Sequence, residues 1–264
     1  MSVSIVLTIN NRPPHVSREV ADSLDLEGNQ ADELIVVLDR PTPEAKEGAM
    51  ETYADCLHTV RFVEVTGDPG WKGPAVAWNM GFAAATSDLL YCISSEVVQE
   101  RGNVKKAVEL AKDGKPVLAY PWTSRTVVFG ACHNSQPDNL VIGAEPGVLV
   151  NASMPRPLGF IVCMPRKAVE SIGGFDEEFM KGFWFDDDDF FLRLWNTGLD
   201  FLFTDSIHGI HLHHERQDLD TPEGQRKIGV NRDYMLQKHK TTHPWPQLLK
   251  TTIRGNGQTR WVHR

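Results

Sequence analysis

Short apolar segments alternate with helical segments over the first 120 residues of this chain. The apolar segments are rich in β-branched residues, and Pro, Gly, Asn or Asp separate them from the helical ones. Such alternation is typical of an α/β protein with a mostly parallel sheet and helices on both faces. The predicted strands are 3–9, 34–38, 61–65, 89–93 and 116–120, and the predicted helices are 15–26, 43–56, 73–85 and 103–112.

Polar residues follow three of these strands directly. They are residues 10–12, Asp39 and residues 94–96. Ligands of such sheets bind beyond the carboxyl ends of the strands, so these positions predict a binding edge. The first strand-to-helix turn contains neither GxGxxG nor GxxxxGK[ST], which disfavours a dinucleotide fold and a P-loop. GxSxG is also absent, which disfavours an α/β-hydrolase.

The regular alternation ends after residue 120. Residues 123–157 are rich in Gly, Pro, Asn and Ser, and long irregular segments in compact domains are often functional. Trp122, Phe129 and His133 lie in or directly before this segment. Further along, the pattern predicts a strand at 158–164, a helix beginning near Asp186, two short strands within 201–212 and a last helix at 221–239.

Four consecutive aspartates, Asp186 to Asp189, open the predicted late helix. Acidic residues are favoured there by the helix dipole, so part of this run has a purely structural explanation. At about 100° per residue, Asp187 points within roughly 20° of the apolar face of the helix. Asp189 points away from that face and is predicted to form a surface pair with Arg193. A partly desolvated carboxylate suits a general base, whereas capping of backbone N–H groups is an equally good explanation of Asp187.

Four blocks of sequence, in this order and spacing, resemble the family 2-type glycosyltransferases of GT-A fold. They read SIVLTINNRP, LIVVLD, GPAVAWNMGFAAATSDLLYCISSE, and GGFDEEF followed by FDDDDFFLRLWNTG. The resemblance implies a GT-A domain over 1–215, divided into a nucleotide-sugar half (1–120) and an acceptor and catalytic half (121–215). A basic, helical C-terminal extension follows over 216–264. The implied activity is transfer of a sugar from a nucleoside diphosphate donor, with a UDP-sugar favoured, to an acceptor hydroxyl with inversion.

The resemblance also implies roles for individual residues. Asp187 takes the position of the catalytic base, and Asp39 that of the residue that bonds the nucleobase. Trp78 stands where the family usually has Arg. Lys72 is added as a candidate cation near the diphosphate. The donor-binding candidates are Thr8, Asn10, Arg12, Asp39, Lys72, Asn79, Ser94 and Ser95.

The family's Asp-x-Asp motif is represented here by Ser94, Ser95 and Glu96. Glu96 keeps a carboxylate at the usual metal-binding position, and its oxygen suits Mn²⁺ or Mg²⁺. A divalent metal is therefore the expected cofactor. A late histidine often supplies another ligand in this family. His211 is favoured, and His213 follows because both residues share one face if the segment is extended.

Aromatic residues next to the acidic run are candidates for contacts with the acceptor. Trp184 and Phe185 precede the helix directly, and Asp186 flanks the proposed base. The segment 123–157, with Trp122 directly before it and Phe129 and His133 inside it, is a candidate acceptor wall. The candidate acceptors are a glycan, a small molecule and a nucleic acid.

Hydropathy and cysteine content predict the cellular compartment of this chain. The chain has no run of 18 apolar residues and no signal-peptide pattern at its start. Its four cysteines are scattered without CxxC spacing, which predicts reduced thiols in a cytoplasmic protein.

The charge is distributed unevenly. The chain carries a net charge of −8, yet the segment from Arg226 onward holds nine Lys or Arg and one acid. This segment is predicted either to bind an anionic partner or to pack as a helix on the acidic body.

Two other functions fit the same sequence. The chain could perform the same chemistry on a polyanionic acceptor, such as DNA with hydroxylated bases, with the basic segment as the contact. It could also be a GT-A-like module that binds a nucleotide sugar or a glycan without turnover, because Ser94 replaces an acidic residue.

Overall fold

Ten strands form one sheet in the computed structural model, which describes residues 1–67, 73–112, 126–134, 157–214, 220–240, 252–255 and 258–262. The strand order is β3-β2-β1-β4-β7-β6-β8-β10-β9, and the short β5 pairs with β8. The strands are β1 (Val3–Ile9), β2 (Glu33–Asp39), β3 (Val60–Val65), β4 (Leu89–Ser94), β5 (Val97–Gln99), β6 (Thr126–Asn134), β7 (Ile161–Pro165), β8 (Asp200–His211), β9 (Thr252–Gly255) and β10 (Gln258–Trp261).

Helices cover both faces of this sheet. Helices α3, α5 and α6 contribute to an apolar cluster on one face, and α1, α2 and α4 contribute to a second cluster on the other. The first cluster is dominated by stacked and edge-on Phe rings, such as Phe175 on Phe190 with centroids 4.1 Å apart. The helices are α1 (Pro14–Leu24), α2 (Pro43–Ala54), α3 (Ala75–Ala84), α4 (Asn103–Lys112), α5 (Arg166–Ser171), α6 (Asp186–Asn196) and α7 (Pro222–His239).

The half of the sheet formed by β3, β2, β1 and β4 is parallel. The sequence predicted these four strands and the crossover helices between them, and the structure confirms this. Beyond β4 the sheet becomes mixed, because β7 runs antiparallel to both β4 and β6. The predicted strand at 116–120 lies outside the described residues.

Two predictions about the second half of the chain were wrong. Residues 126–134 were expected to be irregular, but they form β6, which is buried between β7 and β8. The region 201–212 was expected to hold two short strands, but β8 is one strand of 12 residues. Its pairing with β6 shifts register opposite Gly130 and Ala131, so a local irregularity takes the place of the expected break.

The C-terminal segment joins the main sheet and contributes a helix. Strand β10 pairs with β8, and β9 pairs with β10. Helix α7 packs against the 3-10 helix Glu177–Lys181. The boundary predicted at residue 216 stays a prediction, since the sheet itself continues past it.

Basic side chains of helix α7 form ion pairs with acidic residues. The Lys238 ammonium lies 2.6 Å from Oδ2 of Asp176 and 2.7 Å from Oδ1 of Asp189. Burial alone would raise the pKa of the Asp176 carboxyl, but the hydrogen bond from Lys238 and further donors outweigh it and lower that pKa. Arg226 pairs with Glu223 and Arg232 with Asp233 inside the helix. This part of the basic segment therefore packs on the acidic body.

The expected surface pair of Asp189 and Arg193 exists, but it is not on the surface. The Asp189 carboxylate is fully buried and contacts Nε of Arg193 at 2.8 Å. Lys238 and His239 of α7 each approach its other oxygen to 2.7 Å. Asp189 points away from the apolar face of α6 as predicted, and a second helix covers it there.

Among the helices in the described ranges, none has the length and apolar character needed to cross a bilayer. The four cysteines are free thiols, as predicted, and three of them are buried. Burial raises the pKa of the Cys163 thiol to about 12.

Gly173 and Gly174 offer a matched test of the turn before the 3-10 helix. Both have positive φ, +76° and +74°. A Cβ on Gly174 would lie 2.3 Å from Oδ1 of Asn79, whereas a Cβ on Gly173 meets nothing within 4 Å. Gly173→Ala is expected to lose about 1–2 kcal/mol for the backbone alone, and Gly174→Ala about 2 kcal/mol more for the clash. Urea unfolding of the two variants checks this, and equal losses would contradict it.

Candidate active site

Three strands bring their polar ends together at one edge of the sheet. Thr8 near the end of β1 stands opposite Val37 of β2 on one side and Ser94 of β4 on the other. The side-chain amide of Asn10 donates to the backbone carbonyl of Asp39 at 2.7 Å. The candidates that the sequence placed after three separate strands are therefore neighbours in the fold.

Strand pairing brings Glu96 to a histidine that is distant in sequence. Val97 of β5 stands opposite His211 of β8, and the N–H of Leu212 donates to the Glu96 carbonyl at 2.8 Å. Oε1 of Glu96 lies 3.4 Å from Nε2 of His211 and 3.7 Å from Nε2 of His214. We call these three side chains the Glu96 cluster.

The other carboxylate oxygen of Glu96 is held by different partners. Oε2 accepts from the Ser95 hydroxyl at 2.9 Å and lies 3.1 Å from the Arg12 guanidinium. Arg12 also donates to Ser95 Oγ at 3.1 Å and approaches Nδ1 of His214 to 3.3 Å. Burial alone would raise the pKa of the Glu96 carboxyl, but hydrogen bonds with His211 and His214 and the charge of Arg12 hold it well below its usual range.

The Glu96 cluster has the chemistry of a divalent metal site. One carboxylate oxygen and two imidazole nitrogens lie within 4.8 Å of one another. First-row divalent metals accept such a mixed set, and Arg12 and Ser95 hold the other oxygen of Glu96, as hydrogen-bond partners of metal ligands commonly do. His214 completes this cluster in place of His213, which is exposed. His211 and His213 were expected to share one face of an extended segment, but β8 ends at His211.

Asp187 lies in the first turn of α6, beside the loop that leads into β7. The N–H of Gly159 donates to Asp187 Oδ2 at 3.3 Å, and a Cβ at Gly159 would lie 3.2 Å from Oδ1. The next residue, Phe160, accepts from the N–H of Ser94 and packs its ring edge-on to His211 with centroids 5.6 Å apart. One short segment thus connects Asp187 with the strand end that carries the Glu96 cluster.

The chain enters α6 through two residues in the left-handed conformation. Trp184 and Phe185 have φ of +64° and +65°, a geometry that disfavours large side chains. Helix α7 holds this entry: the Asn231 amide donates to the Trp184 carbonyl at 2.9 Å, and the N–H of Phe183 donates to the Lys227 carbonyl at 3.2 Å. Such strain is often found at functional sites.

Three predicted acceptor candidates directly precede Asp187 at the start of α6. Trp184 is 50% exposed at the entrance of α6. Phe185 and Asp186 are half-buried. Their position next to Asp187 is compatible with contact to an acceptor.

The remaining site candidates lie in the core or outside the described residues. Phe129 was expected in an acceptor wall, but it is buried in β6 and stacks on Phe203 with centroids 4.8 Å apart. It packs the core because β6 is an interior strand. Lys72 and Trp122 lie outside the described residues, and so does the side chain of His133.

The side chain of Asn79 is engaged within the chain. It accepts from the N–H of Phe175 at 2.7 Å and donates to the carbonyl of the same residue at 3.0 Å and to Glu177 at 3.1 Å. Trp78 packs with Phe82, at a centroid distance of 5.9 Å. In this arrangement Asn79 holds the turn that precedes the 3-10 helix.

Asp39 is buried, and Arg40 lies against it. The Arg40 guanidinium approaches Oδ1 of Asp39 to 2.5 Å. Burial raises the pKa of the Asp39 carboxyl, and the charge of Arg40 offsets this only in part. Arg40, His214 and Gly159 are the site residues that the sequence did not single out. The group of histidines late in the sequence was the feature that could have indicated His214. No sequence feature of their own indicated Gly159 or Arg40.

The mixed sheet with helices on both faces has the GT-A glycosyltransferase fold, which solved structures share. A mannosyltransferase from Pyrobaculum calidifontis, solved with GDP-Man and Mn²⁺, matches at a TM-score of 0.62 and 18% identity, over 94% of this chain and 68% of that one. Residues 1–349 of Staphylococcus aureus TarS, solved with UDP-GlcNAc, match at 0.63 and 11% identity, over 96% and 77%.

Sequence comparison gives the family. Residues 4–162 match glycosyl transferase family 2, and residues 149–216 match the N-terminal domain of galactosyltransferase. The pre-mycofactocin glycosyltransferases of two Mycobacterium tuberculosis strains are each 32% identical over 129 residues, which is 46% of this chain and 26% of the relative. The chain thus covers about a quarter of the length of these relatives. It belongs to glycosyl transferase family 2.

Proposed function

We propose that this chain transfers a sugar from a nucleoside diphosphate donor to an acceptor hydroxyl, with Asp187 as the base. The observation that carries the proposal is that two adjacent residues link the two groups: Gly159 donates to Asp187, and Phe160 packs against His211 of the Glu96 cluster. The relatives solved with GDP-Man and UDP-GlcNAc support a nucleotide-sugar donor.

Glu96, His211 and His214 are the residues that would hold a divalent metal. A metal bound there supplies positive charge for the diphosphate of the donor. Arg12 stands beside this cluster and adds a permanent charge for the leaving diphosphate. Thr8, Asn10, Ser94 and Ser95 line the strand ends where the nucleoside would lie.

Asp187 would take the proton of the acceptor hydroxyl while that oxygen attacks the anomeric carbon. The new carbon–oxygen bond forms as the bond from the anomeric carbon to the diphosphate oxygen breaks. The nucleoside diphosphate leaves with the bonding electrons, and the proton stays on the Asp187 carboxylate. One base and one displacement invert the anomeric configuration.

Release of nucleoside diphosphate tests this proposal against a binding module. The chain is incubated with UDP-sugars and GDP-sugars, with and without Mn²⁺, and free UDP or GDP is measured. Slow hydrolysis of at least one donor is expected even without an acceptor, because water can replace the hydroxyl. Donor binding in a thermal-shift assay without any release, under every metal condition, would contradict the proposal.

The described basic residues do not favour a polyanionic acceptor. Lys238, Arg226 and Arg232 have acidic partners within the fold. A glycan or small-molecule acceptor next to Trp184 is therefore the acceptor class that we propose.

A further inference from the structure

Helix α7 carries a buried asparagine on the side that faces the entrance of α6. Asn231 is 1% exposed. Asparagine is a weak helix former, and a buried side-chain amide is expected to use its N–H groups in hydrogen bonds. The amide nitrogen of Asn231 donates to the Phe179 carbonyl at 2.8 Å and to the Trp184 carbonyl at 2.9 Å. Asn231 thus ties residues 179–185, which we call the entry segment, to α7 at two points.

The middle of the entry segment lies directly on the backbone of α7. The N–H of Phe183 donates to the Lys227 carbonyl at 3.2 Å, and the Lys227 ammonium lies 4.9 Å from the centroid of the Phe183 ring. A Cβ on Gly182 would be 2.3 Å from the Lys227 carbonyl oxygen and 2.5 Å from Oδ1 of Asn231. Only a residue without a side chain fits there, so Gly182 sets how closely the entry segment approaches the helix.

The entry segment ends in strained backbone. Trp184 and Phe185 both have positive φ, which residues with a Cβ adopt only at a cost in free energy. An unrestrained backbone would return to negative φ at both residues, which would redirect the chain where it enters α6. The N–H of Asp189 donates to the Phe185 carbonyl at 3.0 Å, so the first turn of α6 follows the position of Phe185. Asp187 lies in that turn, and its direction therefore depends on the conformation that Asn231 holds.

The rest of α6 is anchored on α7 by other contacts. The Asp189 carboxylate contacts Lys238 and His239 at 2.7 Å each. These residues lie about two turns beyond Asn231 along α7, so their ion pairs do not depend on its amide. Loss of the Asn231 amide is therefore expected to release the entrance of α6 while the helix itself stays docked.

We propose that Asn231 is a positioning residue for sugar transfer, which holds the entry segment in the strained conformation that directs Asp187 at the acceptor hydroxyl. The proposal rests on the proposed function of Asp187 as the base. The alternative is that Asn231 only stabilises the packing of α7. In that case its loss lowers the stability of the chain and leaves the rate of the folded enzyme unchanged.

Asn231→Ala is expected to lower kcat for transfer by at least about 10-fold, because a displacement of about 1 Å in an active site can cost about 100-fold. Donor affinity, measured by calorimetry, is expected to stay at its wild-type value, since the Asn231 amide bonds the entry segment and not the strand ends. Asn29→Ala is the matched control: Asn29 is also buried and donates to two backbone carbonyls, those of Ser23 and Glu100, at 2.9 Å each. It is expected to lose similar stability and to keep kcat.

Gly182→Ala changes the same contact from the other side. Its Cβ must move the entry segment away from α7, so a loss of kcat at unchanged donor affinity is expected again. Gly229→Ala is the control, because Gly229 lies on α7 and a Cβ there meets nothing within 4 Å. A wild-type kcat in Asn231→Ala would overturn the proposal. A loss of donor affinity as large as the loss of kcat would overturn it too.

Hydrogen exchange in the wild-type chain decides the matter if Asn231→Ala and Gly182→Ala do not fold. The amides of Phe183 and Asp189 are expected to be as strongly protected as those in the middle of α7, because the entry segment opens only when α7 does. Much faster exchange at these two amides than in α7 would overturn the proposal. A wild-type chain that transfers sugar from no donor would instead contradict the proposed function, and the exchange measurement would still show whether α7 holds the entrance of α6.

Discussion

Asp187→Asn is expected to lower sugar transfer by at least about 100-fold, the lower bound of what a general base contributes, while donor affinity stays at its wild-type value. The amide has nearly the same shape as the carboxylate and can still accept from the N–H of Gly159. It cannot take the proton of the acceptor hydroxyl. Initial rates with a transferable donor, together with calorimetric donor binding, measure both quantities.

Asp22→Asn is the control for this substitution, because Asp22 is an exposed aspartate on α1. It is expected to leave the transfer rate unchanged. A wild-type rate in Asp187→Asn would show that Asp187 is not the base. Loss of donor binding together with transfer would assign Asp187 a structural role at the start of α6.

His214→Ala is expected to weaken Mn²⁺ binding by at least about 100-fold. Loss of a residue that only hydrogen-bonds a metal ligand already costs about 10- to 100-fold in metal affinity, and His214 is proposed as a direct ligand. The transfer rate at limiting Mn²⁺ should fall in parallel. Titration of Mn²⁺ followed by electron paramagnetic resonance gives the affinity.

His213→Ala is the matched control, since His213 is the neighbouring histidine outside the Glu96 cluster. It is expected to bind Mn²⁺ like wild type. Chelation should abolish transfer in the wild-type chain, and Mn²⁺ should restore it better than Mg²⁺ because two of the three candidate ligands are imidazoles. Equal effects of the two alanine variants, or transfer that persists under chelation, would contradict the metal assignment.

Backbone strain marks the entrance of α6, where the proposed acceptor contacts lie. Trp184 and Phe185 adopt a conformation that large residues disfavour, and the side-chain amide of Asn231 in α7 donates to the Trp184 carbonyl. The C-terminal helix thus takes part in shaping the start of the helix that carries Asp187. This links a segment that the sequence treated as a basic extension to the proposed chemistry.

Local patterns were sufficient to predict much of the fold. Strands β1 to β4 are short apolar runs closed by turn residues, and the start of α6 is marked by a run of aspartates. Periodicity also identified the direction of Asp187. These features depend on residues within one or two turns of each other, so they can be read without knowing the fold.

Other features depended on partners that are far away in sequence. Gly130 interrupts the apolar pattern of residues 126–134, and this segment was predicted as irregular. Its pairing with β7 and β8 makes it strand β6. Asp189 points away from its own helix core, and only the docking of α7 buries it. In the sequence, nothing distinguishes Arg40 from other residues that follow a strand. In the structure, its φ of +47° brings its side chain onto the Asp39 carboxylate.

The sequence by itself determined the parallel half of the sheet and the polar strand ends, and it predicted Asp187 as the base among four aspartates. Only the tertiary structure decided that His214 rather than His213 joins Glu96, that Asn79 holds a turn, and that Arg40 pairs with Asp39. The physical reason is that hydrophobic periodicity fixes which face of an element is buried, whereas strand register and helix docking fix which side chains meet.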